Sequence, residues 1–206
     1  MPPSSRFKNQ GLGGPLLLFA LLAICWLAGR WLTPLLEFDR TAIASREWWR
    51  LLSGHLPHTN LQHLLLNCAG LLLLWILHGL HYRPWQFLAA TAAVALGTGA
   101  GLWFFSPQTE VYLGLSGVLH GLIIWGGFLD IRALWRTGYL LVAGTWIKVG
   151  FEQFYGASEA TAQLIDAAVA VDGHLWGAVA GTVLGLGVIA LPWPRKQHRR
   201  TSATAS

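Results

Sequence analysis

A small group of polar residues stands inside, or at the mouth of, long apolar runs: His55, His58, His63, Asn67, Ser116, His120 and His174. A serine beside a histidine can act as a nucleophile–base pair, because imidazole takes the hydroxyl proton as the oxygen attacks a carbonyl. His and Asn side chains can donate hydrogen bonds to the oxyanion that then develops. His63 and Asn67 are four apart, one helical turn and one face, and His120 follows Ser116 by the same step. Gly114 and Gly117 bracket the serine. Gly173 precedes His174, and Gly177, Gly181 and Gly185 follow it at four-residue intervals. Such small-residue ladders let two helix backbones approach closely.

The elements that must position these groups follow from composition. Of the 206 residues, 54% are hydrophobic and 11% charged, with mean hydropathy +0.48. Soluble domains carry about 25% charged residues, so a water-soluble globule is excluded, and so is a disordered chain. Twelve Trp and 24 Gly suit membrane helices. Cys25 and Cys68 both lie in apolar runs and indicate no disulfide framework. A span needs roughly 20 apolar residues. Six runs meet or approach that length: Gly13 to Leu32, Thr59 to Gly79, Pro84 to Phe105, Gly114 to Leu129, Gly138 to Phe154, and Asp172 to Trp193. The expected fold class is therefore all-α, a polytopic six-span bundle over 13–193. A short cytoplasmic N-terminus (1–12) precedes it and a basic, disordered cytoplasmic tail (194–206) follows. The first run is too long for a signal-peptide core and is read as a retained span.

The net charge of +5 is compatible with nucleic acid, but its placement points to a membrane surface. With the N-terminus in the cytoplasm, that side collects Arg6, Lys8, Arg83, Arg132, Arg136 and the four basic residues of the tail, against the single acid Asp130. The remaining acids fall on the other side, so the positive-inside rule places both termini in the cytoplasm. His78 and His81 then read as solvated loop residues. Lys148 and Glu152, four apart in the fifth run, read as a pair on one helix face.

In this topology the second, fourth and sixth spans all run inward from the non-cytoplasmic face. His63, Asn67, Ser116 and His174 therefore share one depth. Taken singly each has an ordinary explanation: a membrane Ser commonly bonds its own helix, a membrane His commonly serves packing, and glycine ladders are packing devices. Their coincidence at one depth is what points to chemistry. A different class of reading makes His58, His63, His120 and His174 two pairs of axial haem ligands.

In these residues the chain resembles the rhomboid intramembrane serine proteases. The motifs are Trp49-Arg50, His58, His63-xxx-Asn67, Gly114-Leu115-Ser116-Gly117 and His174-xx-Gly177-xxx-Gly181. A narrower resemblance is to the rhombosortase branch, carried by the stretch from Gly114 to Gly121, by Lys148 to Gln153, and by Val171 to Leu175. The resemblance implies a Ser116 nucleophile and a His174 base, without a third acidic member. It implies an oxyanion hole of His63, Asn67 and the Ser116 N–H, with His58, Gly114, Gly117 and His120 in support. No metal and no cofactor are implied. The partners are lipid and membrane-anchored protein substrates bearing a glycine-rich C-terminal signal, a span and a basic tail. The location is the bacterial inner membrane, and nucleic acid is not a partner. Relatives that bind clients without cutting them typically lack the Ser or the His, and this chain has both. Where many rhomboids have Tyr four residues after the Ser, this chain has His120, and Gly173 replaces the usual Ala. The sequence leaves open whether His120 stacks, hydrogen-bonds or titrates.

Overall fold

The computed structural model describes residues 11–190. The expected cytoplasmic tail, the end of the sixth run, and Arg6 and Lys8 lie outside the described residues. In chain order the elements are α1 (Gly13–Leu27), α2 (Gly29–Leu36), β1 (Phe38–Asp39), α3 (Arg40–Ala44), α4 (Arg50–Ser53), α5 (Leu61–His78), α6 (Pro84–Phe105), β2 (Val111–Tyr112), α7 (Ser116–Arg132), α8 (Thr137–Tyr155), α9 (Glu159–Ile165) and α10 (Val171–Ala190). The architecture is all-α and multi-pass. The two strands are a minimal antiparallel ladder, Phe38 opposite Tyr112 and Asp39 opposite Val111.

Among the described residues, three helices, α5, α6 and α10, are long and apolar enough to cross a membrane, and the α1–α2 pair makes a fourth if its bend is counted within one span. Their outward faces expose Leu65, Leu72, Leu73, Leu96, Val183 and Leu186. A continuous apolar exterior of this kind faces lipid rather than water. α7 is only 17 residues long and ends in Asp130 and Arg132, while α8 carries Lys148 and Glu152.

The first apolar run is not one straight helix to Leu32. It breaks at Ala28, and α2 leaves at 108° to α1. Gly29 follows the break and Pro34 lies within α2, both of which weaken a continuous helix.

α7 is the central helix, packed on α5, α6, α8 and α10. Leu22, Leu71, Phe87, Val94, Val118 and Leu122 fill the core between it and α1, α5 and α6. Against α10 the packing is backbone to backbone. A Cβ on Gly117 would lie 2.5 Å from the Gly173 carbonyl oxygen, and one on Gly177 or Gly181 would land on the carbonyl of Gly117 or Gly121.

Two arginines organise the first connection. Arg50, 5% exposed, bonds the Glu47 carboxylate at 2.6 Å and the carbonyls of Glu37 and Pro34 at 2.8 Å each. The neighbouring Trp49 indole donates to the Leu35 carbonyl. Arg40 donates to four carbonyls, those of Leu102, Trp103, Ser106 and Thr109, at 2.7–3.0 Å. Leu102 and Trp103 belong to the last turn of α6, where carbonyls run out of helical donors, and Ser106 and Thr109 to the turn that follows.

His78 and His81 are not solvated. His78 is fully buried, and His81 Nε2 lies 2.8 Å from Asp130 Oδ1. The tight Gly79 connection turns both rings inward onto the end of α7, where the buried Asp130 carboxylate needs a partner.

Candidate active site

Ser116 is the first residue of α7. The preceding Gly114 has φ +110°, a conformation that L side chains rarely adopt. A Cβ there would also lie 2.5 Å from two atoms of the His63 ring. The turn is held from outside by the Tyr112 hydroxyl, which donates to the Gly114 carbonyl at 2.8 Å. The backbone N–H groups that open α7 have no acceptor within the helix.

The close α7–α10 packing brings His174, at the start of α10, against the serine, with His174 Nε2 2.9 Å from Ser116 Oγ. The other ring nitrogen, Nδ1, is 2.8 Å from Glu152 Oε2 on α8. An ionised carboxylate only accepts, so Nδ1 carries the proton. Nε2 is then a lone pair, free to receive the Ser116 hydroxyl hydrogen. The second oxygen of Glu152 takes the Lys148 ammonium at 2.6 Å.

His120 stacks on His174, with ring centroids 4.2 Å apart and planes at 22°, and its Nδ1–H donates to the Ser116 carbonyl at 2.7 Å. It both stacks and hydrogen-bonds. One donor atom each of His120, Glu152 and His174 lies within 4.8 Å of the others, a spacing compatible with a metal ion. The ring stacking opposes that use, since imidazole lone pairs lie in the ring plane and two nearly parallel planes do not converge on one ion. Haem fares no better. His58 and His63 are 4.9 Å apart edge to face, so neither histidine pair leaves room for an iron and its porphyrin.

Asn60 caps α5, its side chain accepting from the His63 N–H at 2.8 Å. One turn on, Asn67 is 3% exposed, and one N–H of its amide goes to the His63 carbonyl. The other N–H is available to a ligand. The Thr59 hydroxyl donates to the Ile165 carbonyl at 2.6 Å and lies 3.1 Å from His63 Nδ1. Its single hydrogen is used, so it accepts from Nδ1–H, and neutral His63 presents an unprotonated Nε2. His58, in the loop before α5, donates Nδ1–H to the Leu56 carbonyl at 3.0 Å. Burial pulls its pKa down to about 4, which keeps it neutral.

Ser116, His174, His63, Asn67, His120 and Lys148 line one cavity of about 310 Å³, whose other walls are largely apolar. A second cavity of about 210 Å³ shares Ser116 and His63 and continues under Ala167 to Ala170. The eight residues singled out in the sequence thus lie together, with Gly117 acting through packing and His58 through its contact with His63. Glu152, Thr59 and Tyr112 were not among them. Glu152 alone gave a signal, as an acid in an apolar run and within the Lys148 to Gln153 stretch of the narrower resemblance, but Lys148 four residues earlier accounted for its charge.

A family model described as Rhomboid domain matches residues 45–191. No curated protein matches the chain.

Proposed function

The chain belongs to the rhomboid family, and from that premise we propose that it is an intramembrane serine endopeptidase. Its substrates are single-span proteins cut near the non-cytoplasmic end of their span, with removal of a glycine-rich C-terminal sorting signal. The proposal includes six spans, both termini in the cytoplasm and residence in a bacterial inner membrane. The observation that carries it is the 2.9 Å approach of Ser116 Oγ to His174 Nε2 beside a largely apolar cavity.

In this mechanism His174 takes the Ser116 proton as Oγ attacks the scissile carbonyl. The tetrahedral oxyanion is met by the Ser116 N–H and the free N–H of Asn67. His63 joins them as a donor only when protonated or in its other tautomer. The imidazolium then protonates the leaving amine, the C–N bond breaks, and an acyl-enzyme remains on Ser116. Water, deprotonated by the same histidine, releases the new C-terminus.

The test is reconstitution in vesicles with a single-span substrate, and mass spectrometry of the new C-terminus. Ser116→Ala and His174→Ala each abolish cleavage, and the double variant is little worse, since the pair acts as a unit. Cleavage by purified Ser116→Ala removes it as nucleophile. An absence of cleavage together with a Ser116 inert to a fluorophosphonate points instead to a client-binding relative.

A further inference from the structure

The sequence resemblance implies a serine and a histidine with no acidic partner. The arrangement around His174 has one. We propose that Glu152 is a positioning residue for the base, completing a Ser116–His174–Glu152 triad whose carboxylate is held in place by Lys148. This rests on the catalytic reading of Ser116 and His174.

The chain of contacts is continuous: Lys148 Nζ to Glu152 Oε1 at 2.6 Å, Glu152 Oε2 to His174 Nδ1 at 2.8 Å, and His174 Nε2 to Ser116 Oγ at 2.9 Å. Each carboxylate oxygen has one partner, and the two partners differ in kind. The ammonium, half-exposed, fixes the carboxylate's rotamer, while the buried imidazole receives its orientation and tautomer. Without an acceptor at Nδ1 the imidazole can carry its proton on Nε2, where it cannot accept from the serine. The carboxylate also stabilises the imidazolium that forms during attack.

Glu152 is not required as glue between helices. Val149 and Ala178, both fully buried, pack α8 onto α10 together with Ile124. Gln153 donates to the Val171 carbonyl at 3.0 Å, and the Trp146 indole donates to Thr182 at 3.1 Å. With the helices joined at three other places, an acid aimed at Nδ1 serves the imidazole.

The charged and titratable groups that face His174 are His63 from α5, His120 from α7, and Lys148 and Glu152 from α8. Of these, Glu152 is the acid at Nδ1, which gives a signature that helix packing cannot imitate. Glu152→Asp keeps a carboxylate that accepts from Nδ1–H. Glu152→Gln leaves an amide that can donate to Nδ1 and fix the wrong tautomer.

The experiment is fluorophosphonate labelling of the full-length protein in lipid vesicles, with nitrogen NMR of the histidine rings to read the His174 tautomer. Expected for Glu152→Gln is a fall of about 10²- to 10⁴-fold, on the scale of removing a triad acid, with the His174 proton no longer confined to Nδ1. Glu152→Asp recovers about tenfold or more of that loss, and Lys148→Gln loses about tenfold or less. Labelling of Glu152→Gln within about threefold of the parent overturns the proposal, as does a Glu152→Asp no better than Glu152→Gln. If Glu152→Gln does not fold, the tautomer of the parent decides: a His174 proton on Nε2 overturns the proposal. Labelling of Ser116→Ala at the parent rate would overturn the catalytic reading itself, and so separates the two failures.

Discussion

Gly177 and Gly117 meet backbone to backbone: a Cβ on Gly177 would land on the Gly117 carbonyl oxygen, one residue after Ser116. The distance between the serine and the histidine is therefore set by two hydrogen atoms where other residues carry side chains. Gly177→Ala must push α7 and α10 apart. A displacement of about 1 Å in a reacting pair costs about 10²-fold, and overpacking costs about 1–3 kcal/mol. Fluorophosphonate labelling and thermal unfolding should both register the change. Gly187→Ala is the control, because nothing lies within 4 Å of its missing Cβ. Equal behaviour of the two variants would show that the ladder does not set the site.

As the proposed oxyanion donors, Asn67 and His63 are not equivalent. Asn67 keeps one amide N–H free, whereas the Nδ1 proton of neutral His63 is committed to Thr59. Asn67→Ala is expected to lower turnover by about 10- to 1000-fold, and His63→Ala by less at neutral pH. Turnover measured on one substrate in vesicles checks both, and the reverse order would mean that His63 works in its other tautomer.

Arg40 makes four carbonyl contacts that a lysine cannot reproduce, since its ammonium lacks the planar fork. Arg40→Lys is expected to lose about 1–3 kcal/mol, read as a lower Tm in detergent. Arg30→Lys, at an exposed position, should stay within about 0.5 kcal/mol of the parent.

A substrate bond must be extended before Ser116 can reach its carbonyl. Glycine at the top of a substrate span favours that unwinding, since it costs about 1 kcal/mol of helix stability relative to Ala. Replacing such glycines with Ala or Leu should suppress cleavage, while conservative changes deep in the span matter less. Equal cleavage of a glycine-free helical junction would sink both the unwinding argument and the sorting-signal assignment.

The parts legible in the sequence were those written at helical spacing. The Gly177-xxx-Gly181 ladder announces a close helix contact, and the shared depth of Ser116, His174 and Asn67 follows from span direction. Contacts without a spacing rule were hidden. Glu152 and His174 are 22 residues apart on different helices, and Lys148 already offered the acid a partner on its own face. Arg40 reaches 62 to 69 residues along the chain to end α6. The break at Ala28 falls within a run that resumes after Arg30 with Trp31 and Leu32, and a single charge does not by itself end a span. His78 looked solvated because loop polarity says nothing of which way a tight turn throws a ring.

At 1.5 Å per residue, the 22 residues of α6 rise about 33 Å and the 17 of α7 about 26 Å. Their near ends are level, since His81, just before α6, bonds Asp130, just before the end of α7. Ser116 therefore opens α7 about 7 Å below the far end of α6. An extended chain advances about 3.3 Å per residue, so roughly two residues of any bound polypeptide are used in descending to the serine. Folded bulk cannot follow them down. The shortness of one helix thus acts as a ruler: a globular domain ending closer than about two residues to the bond stays uncut whatever its sequence, and a short pliable spacer restores access.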